Sequence, residues 1–459
     1  MILAAELRAL LGDEAVATDE ATRLSHSGDK WFASHAPEVV VFPQDTTQVS
    51  RLLQFASEKK IPVTARGAGF GYVGGCVPAQ GGVVLSLARM NRIKEISFED
   101  AIAIVEPGVI TAELQAAARE RGLFYPPDPA SLHDCSIGGN VATNAGGPRC
   151  LKYGVTRHYV VGLEVVLAKG EVLRTGGRVH KNKTGFDLIG LFVGSEGLLG
   201  VVTEIIVRLL PMPPARATFS AAFSTMPQAA AAVQAIFAAG FLPSSLEIAD
   251  QFTLEAARRD RGSGVIPDGN AHLLVEVDGQ PESVAAEAAS LEALLTERKP
   301  NSLSRAMDEA GSEKLWSLRR EFSNSLRATG LTKLNQDIVV PRSRLVDLAE
   351  FAAQLQARHG FPVATFGHAG DGNIHVNIMA DHYHEPEVRD RVEVALDELF
   401  AQVLAWGGVI TGEHGIGLAK KRWWPEATSE VSRELHQRLK SALDPNNILN
   451  PGKFVGSRT

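Results

Sequence analysis

The sequence predicts an α+β protein made of a glycine-dense first domain, an alanine-rich second domain with an antiparallel sheet, and a C-terminal segment that resumes the style of the first. Three observations predict it. Strand-like and helix-like runs alternate from Glu38 to about Pro211; Pro211, Pro213 and Pro214 then precede a change to alanine-rich helices; and glycine-rich sequence returns in GVITGEHGIG, from Gly408. The expected divisions are residues 1–211, 212–410 and 411–459.

The first domain opens on a short amphipathic helix, MILAAELRALLGDEA, and its strand candidates are EVVVF (Glu38 to Phe42), IPVTA (Ile61 to Ala65), VVLSL (Val83 to Leu87), AIAIV (Ala101 to Val105), LEVVLA (Leu163 to Ala168) and GVVTEIIVRLL (Gly200 to Leu210). Asp45 or Thr46 can cap a helix that places Val49, Leu52, Leu53 and Ala56 on one face. In the second domain, helices are expected over Pro227 to Ala239, Pro281 to Leu295 and Arg344 to His359, with strand-like HLLVEVDG and DIVVP among them.

A chain of 459 residues, 45% apolar and 22% charged, has the composition of a globular protein and exceeds what one core supports, roughly 250 to 300 residues. The net charge of −7 excludes an overall positive field for nucleic acid. Cys76, Cys135 and Cys150 are odd in number and widely spaced, which suits a reducing compartment and cannot supply a four-cysteine iron–sulfur cluster. No stretch reaches the roughly 20 apolar residues of a membrane span, and the first residues are expected to form an amphipathic helix rather than a basic-apolar leader. The expectation is a cytoplasmic protein, with peripheral attachment to the inner membrane left open.

Three segments are built for defined backbone paths. ARGAGFGYVGG (Ala65 to Gly75) formally satisfies the dinucleotide pattern with Gly69, Gly71 and Gly74, but Gly75, Pro78, Gly81 and Gly82 follow, so no helix can start there as a Rossmann site requires. A nest of bare amides around a phosphate, with Arg66 adding charge, and a merely flexible loop are both open on this segment alone. The second runs from Pro126 to Cys150 and the third from Leu191 to Glu204. Spread over so much chain, the three suit one extended ligand such as a dinucleotide.

The segment FPVATFGHAGDGNIHVNIM suggests a second site. If Asp371-Gly372 forms a two-residue type I′ turn, His368 stands directly opposite His375, with Cβ atoms roughly 4.5 to 5.5 Å apart, and Asn377 shares their face. Ordinary hydrogen-bonded sheet histidines are the competing explanation. TGEHGIG adds Glu413 beside His414, so that His368, His375 and Glu413 would make a two-histidine, one-carboxylate set for a divalent metal, zinc or manganese.

The three glycine-rich segments, in this order, resemble the FAD-binding domain of the vanillyl-alcohol oxidase and para-cresol methylhydroxylase (PCMH) flavoprotein superfamily. With the C-terminal motifs, the chain resembles its D-lactate, glycolate and D-2-hydroxyglutarate dehydrogenase branch. That resemblance implies a PCMH-type FAD-binding domain of two α+β lobes, an α+β cap and a C-terminal segment completing the active site. It implies that Arg66, Gly67, Ala68, Gly69, Phe70, Gly71, Gly74 and Gly75 cradle the pyrophosphate of non-covalent FAD. Pro127, Asp128, Pro129, Ser131, Gly138, Gly139, Ala142, Thr143 and Asn144 would line the flavin and its chain. Glu196, Gly200, Val201 and Val202 would contact it through backbone, with Asn450 in the same cofactor set. Phe70 and Leu198 stand where the family often carries threonine.

The same resemblance implies His368, His375 and Glu413 as metal ligands, Asn377 as a substrate contact, His414 as general base and Arg319 as the grip on the substrate carboxylate; read alone, Arg319 is a surface helix residue. The D-2-hydroxyglutarate type carries a lysine two residues before Asp337, where this chain has Asn335, with Lys333 two further back. The expected activity is oxidation of a D-2-hydroxy acid, D-lactate first, with electrons leaving to a quinone, an electron-transfer flavoprotein or a cytochrome. An iron–sulfur partner subunit and a homodimer complete the expectation. The rivals are a metal-independent flavoprotein oxidase of an alcohol or sugar, and a non-catalytic subunit of a larger oxidase.

Overall fold

A computed structural model describes residues 2–262 and 266–455. The chain divides into two compact units: Met1–Gly146, Val155–Met212 and Glu413–Thr459 form the first, Gly147–Gly154 and Pro213–Gly412 the second.

In the first unit, strands β1 (Val16–Ala17), β2 (Val39–Val41), β3 (Val63–Arg66) and β4 (Val83–Ser86) form a sheet of order β1-β2-β4-β3. Strands β2 and β3 both run parallel to β4, and they are short runs of valine-rich sequence because parallel strands are covered on both faces. The helix Thr46–Lys59 connects β2 to β3; Asp45 caps it by accepting from Gln48 N at 2.8 Å, and Val49, Leu52, Leu53 and Ala56 are buried as the periodicity predicts. A second sheet joins β5 (Ile93–Ser97), β6 (Ile102–Val105), β8 (Val160–Val166), β9 (Val172–Gly176) and β10 (Val201–Arg208) in the order β5-β6-β10-β8-β9, antiparallel throughout. Two short strands, β7 (Leu123–Phe124) and β11 (Leu210–Pro211), pair with each other. The edge strands β5 and β9 escaped the sequence reading because they alternate with solvent-facing polar residues and carry few apolar ones.

The C-terminal segment is part of the first unit's core. Val63 N donates to Ile448 O at 2.7 Å and Asn450 N to Val63 O at 2.8 Å, so the segment lies alongside β3. Ile448 and Leu449 then enter the same apolar cluster as Leu52, Val63 and Leu85.

The second unit is a seven-stranded antiparallel sheet. Its strands β12 (Ala215–Phe223), β13 (Ser245–Ala249), β14 (Ala271–Gly279), β15 (Ser302–Ala306), β16 (Thr332–Val339), β17 (Val363–His368) and β18 (Asn373–Ala380) take the order β15-β12-β14-β13-β17-β18-β16. Helices Met226–Ala238, Pro281–Glu297 and Leu345–His359 occur within two residues of the boundaries read from sequence. Residues 147–154 group here because Lys152 Nζ and Tyr153 Oη both bond the Asp278 carboxylate.

The expected two-residue hairpin does not form. His368 pairs with Asn373 and His375 with Phe366, leaving residues 369–372 as a four-residue connection. A type I′ turn needs positive φ at both central positions, whereas Gly372 has φ of 83° and Asp371 is not in that region. Gly372 N instead reaches back to His368 O at 3.1 Å, and the Asp371 carboxylate accepts from Asn373 N. The register therefore shifts by two residues, which preserves the face: His368 and His375 meet diagonally, with ring centroids 5.7 Å apart.

Candidate active site

Within the first unit the glycine-rich segments are drawn together. After β3 the chain turns through Gly69 and Gly74, with φ of 78° and 70°, and no helix follows. Gly67 lies so close to the start of the helix Ile137–Thr143 that a Cβ on it would be 2.5 Å from Ser136 Oγ and 3.3 Å from Gly139 N. A Cβ on Gly138 would be 2.5 Å from Pro107 Cβ. The third segment joins through Glu196 N, which donates to Ala142 O at 2.8 Å, and through Asn450, whose Nδ2 donates to Gly75 O and Glu196 O at 2.9 and 2.8 Å. The buried Oδ1 of Asn450 accepts no hydrogen bond. Val201 and Val202 begin β10, and a Cβ on Gly200 would lie 2.5 Å from Val165 Cγ1.

Other members of the expected cofactor set have structural partners. The Arg66 guanidinium donates to the carbonyls of Gly28 and Ser25 and to Cys76 Sγ, so it braces the loop. Gly75 N donates to Asp29 Oδ2 at 3.0 Å. Phe70 lies beneath Lys30, with Nζ 4.3 Å from the ring centroid, and Pro127 O accepts from Gln115 Nε2 at 2.8 Å. Cys135, buried, contacts the Thr111 hydroxyl. Replacing Gly67 by alanine forces Ser136 or the helix start to move; we expect a loss of about 1 to 3 kcal/mol of stability with weakened flavin retention, read by thermal unfolding and flavin absorbance.

Glu196 has a part that its sequence context did not disclose. Its side chain accepts from Ile416 N and Gly417 N, both at 2.8 Å, and so clasps the loop that carries Glu413 and His414. Burial pushes its carboxyl pKa up, opposed by those two amides. Leu418 N adds a bond to Val73 O, and the His414 ring stacks on Tyr72 with centroids 5.1 Å apart. His414 Nε2 lies 3.7 Å from Glu413 Oε1.

The second unit presents a polar face on β13, β16, β17 and β18. Asp337 stands directly across from His375, and their ligand atoms lie within 4.8 Å of one another. Asp337 is fully buried, accepting from Asn373 Nδ2, from Thr411 Oγ1 at 2.9 Å and from Gly412 N at 2.9 Å. The chain continues from Gly412 directly into Glu413 and His414. His368 Nδ1 bonds Glu247 Oε1 at 2.6 Å, and Arg319 Nε donates to Glu247 Oε2 at 2.6 Å. Burial alone would raise the Glu247 carboxyl, but His368 and Arg319 outweigh it and hold its pKa well below the usual range.

Arg319 is therefore not the surface residue that its sequence suggests. Its side chain is 11% exposed, and its guanidinium lies 4.9 Å from the Phe366 ring centroid. Asn377 Nδ2 donates to the carbonyls of Ala364 and His375, which fixes the amide's orientation and leaves its buried Oδ1 accepting nothing. Its cross-strand partner Asn335 likewise has a buried, unbonded Oδ1. Asp337 and Glu247 come from strands distant in sequence, and only DIVVP gave any local hint of the former.

Comparison with known proteins gives the family. Residues 37–176 match the model for an FAD binding domain, and residues 212–454 match that for the C-terminal domain of FAD linked oxidases. The chain is 41% identical over 418 residues to the glycolate oxidase subunit GlcD of Bacillus subtilis (strain 168), covering 91% of this chain and 89% of that one. It is 33% identical to the D-lactate dehydrogenase of Anaerostipes hadrus, covering 97% and 94%. Among solved structures, p-cresol methylhydroxylase with substrate bound superposes with a TM-score of 0.81 at 20% identity, over 99% of this chain and 96% of that one. The 4-ethylphenol oxidase of Gulosibacter chungangensis gives a TM-score of 0.79 at 23% identity, over 100% and 97%. The chain thus has a PCMH-type fold, and it belongs to the FAD-linked oxidases as an FAD-binding oxidoreductase of the D-lactate dehydrogenase and glycolate oxidase type.

Proposed function

We propose that this enzyme oxidises a D-2-hydroxy acid to the 2-keto acid, D-lactate first and glycolate or D-2-hydroxyglutarate as alternatives, passing electrons to FAD and onward to an acceptor other than NAD. The observation that carries the reading is the cross-strand Asp337–His375 pair, flanked by the oriented amide of Asn377 and the guanidinium of Arg319. The substrates named for the relatives support the same class.

The close approach of Gly67 and Gly138 to their neighbours, and the unbonded Asn450 Oδ1, suit a cofactor laid over bare backbone. Bound FAD supplies a two-electron acceptor. His368, His375 and Glu413 are nitrogen and oxygen donors of the kind that suits zinc or manganese, and Asp337, directly across from His375, adds a further oxygen. Such a cation would chelate the substrate's carboxylate and 2-hydroxyl and lower the hydroxyl pKa. The Glu247 carboxylate turns His368 so that Nε2 points away from the bond at Nδ1, as metal-binding histidines require.

The chain's own residues do the rest. Arg319 uses Nε on Glu247 and offers its terminal nitrogens to the substrate carboxylate. Asn377 Oδ1 accepts from the substrate, and a ring nitrogen of His414 removes the 2-hydroxyl proton as C2 is oxidised. Exhaustive chelation should abolish D-lactate-dependent flavin reduction while the yellow colour stays, and zinc or manganese should restore it. Full-speed reduction by a protein shown free of metal would instead favour the metal-independent oxidase. Rapid anaerobic bleaching of the isolated chain by D-lactate would dispose of the non-catalytic subunit.

A further inference from the structure

The turn that follows β18 carries a second group of metal-ligand side chains, with no part in the chemistry described above. Asp381, His382, Tyr383, His384 and Glu385 join the strand to the helix Pro386–Ala405. Glu385 N donates to His382 O at 2.9 Å and closes the turn, which brings its first and last residues near each other. His382, at φ of 52°, is held in the left-handed region that few non-glycine residues adopt, and its backbone N–H donates to Asp381 Oδ1 at 2.9 Å. Tyr383 is half-buried, while His382 and His384 on either side of it are exposed.

One ligand atom from each of His382, His384 and Glu385 falls within 4.8 Å of the other two. The two imidazole centroids are 5.9 Å apart, and His382 Nδ1 lies 3.9 Å from Glu385 Oε1. Donors around a tetrahedral cation, at bond lengths of about 2.0 to 2.2 Å, stand about 3.3 to 3.6 Å from one another. The three side chains therefore need to close by about 1.5 Å or less, which rotation of exposed groups supplies.

Charge favours the same ligand. Besides Glu385, Asp381 sets its Oδ2 3.4 Å from His382 Nε2, and among the described residues neither acid pairs with a lysine or arginine. Glu387, in the first turn of the helix, adds another acid. Solvated side chains of a polar turn are the competing explanation, and for an exposed carboxylate alone it is the better one. Two imidazoles converging with a carboxylate differ, because nitrogen donors select zinc, nickel or copper(II) over magnesium and calcium. The group is also separate from His375: that residue and Ala380 are five positions apart on β18, about 17 Å of extended chain.

We propose that His382, His384 and Glu385 form a second metal site, which takes one zinc-class divalent cation and fastens the turn between β18 and the following helix. Three protein donors leave one position for water. A cation held by the folded turn stabilises the fold in step with its concentration.

The test titrates Zn²⁺ calorimetrically into the tag-free, FAD-loaded enzyme in a His375→Ala background, which removes the other proposed site. A one-to-one phase should saturate below roughly 0.1 mM, with Mg²⁺ giving none at that concentration. Adding His384→Ala should weaken the phase at least about 10-fold, since even the outer partners of metal ligands are worth that much, and adding both His382→Ala and His384→Ala should abolish it with the flavin content unchanged. The unfolding temperature should rise with Zn²⁺ only where the two imidazoles remain. No Zn²⁺ phase in His375→Ala, or an equal phase after both turn histidines are removed, overturns the proposal. Should His375→Ala fail to fold, zinc is counted in the wild-type background: one equivalent fewer in the double turn variant supports the site, and equal stoichiometry removes it.

Discussion

Replacing His414 by alanine should leave a yellow, FAD-loaded protein whose flavin is reduced by substrate about 10² to 10⁴ times more slowly, the usual worth of a positioned general base. The expectation that the flavin stays follows from how the loop is anchored. Glu196 holds the amides of Ile416 and Gly417, and Leu418 N bonds Val73 O; none of these contacts uses the imidazole. The variant loses the stacking of His414 on Tyr72 but keeps the path of its backbone. Anaerobic stopped-flow reduction, followed at the flavin absorbance under saturating substrate, measures the effect. Reduction at the wild-type rate would remove His414 from the proton transfer and point to Glu413 or solvent as the base.

The second large effect is expected at His375. Alanine there should lower the bound metal from stoichiometric to trace amounts and slow flavin reduction by about 10³-fold, since a metal acting on a substrate oxygen supplies several kcal/mol to the transition state. His375 is directly opposite Asp337 and adjoins the Phe366 ring, with centroids 5.4 Å apart, so on the proposed reading its loss takes a ligand from the point where the two strands meet. His368→Ala makes a useful comparison: it takes the imidazole from Glu247 and leaves that buried carboxylate to Arg319 alone, so it should destabilise the unit as well as weaken metal. Elemental analysis of purified protein, beside the flavin-to-protein ratio, separates the outcomes. Retention of the metal in His375→Ala with normal turnover would disprove the assignment.

Much of the fold was legible because its signals are local. Helical periodicity placed Met226–Ala238, Pro281–Glu297 and Leu345–His359 within two residues and gave the start and buried face of Thr46–Lys59, and runs of valine and isoleucine marked the buried strands. The edge strands β5 and β9 were invisible for the converse reason, as residues that face water carry no pattern of burial. At the hairpin, Asp371-Gly372 correctly marked a turn but misassigned its type: only Gly372 takes positive φ, and the connection widens to four residues. The two histidines stayed on one face because a shift of two residues preserves the strand's alternation; a shift of one would have parted them.

What the sequence determined by itself was the class of fold, the glycine-rich segments proposed to hold FAD, and a short roster of imidazoles and carboxylates, since each depends on residues close together in the chain. Tertiary structure alone decided which groups those residues meet. Asp337 reached His375, Glu247 reached both His368 and Arg319, and Glu196 reached the His414 loop by strand pairing and chain return over long separations. Charge, burial and hydrogen bonding act through distance in space, and no spacing along the chain encodes that distance.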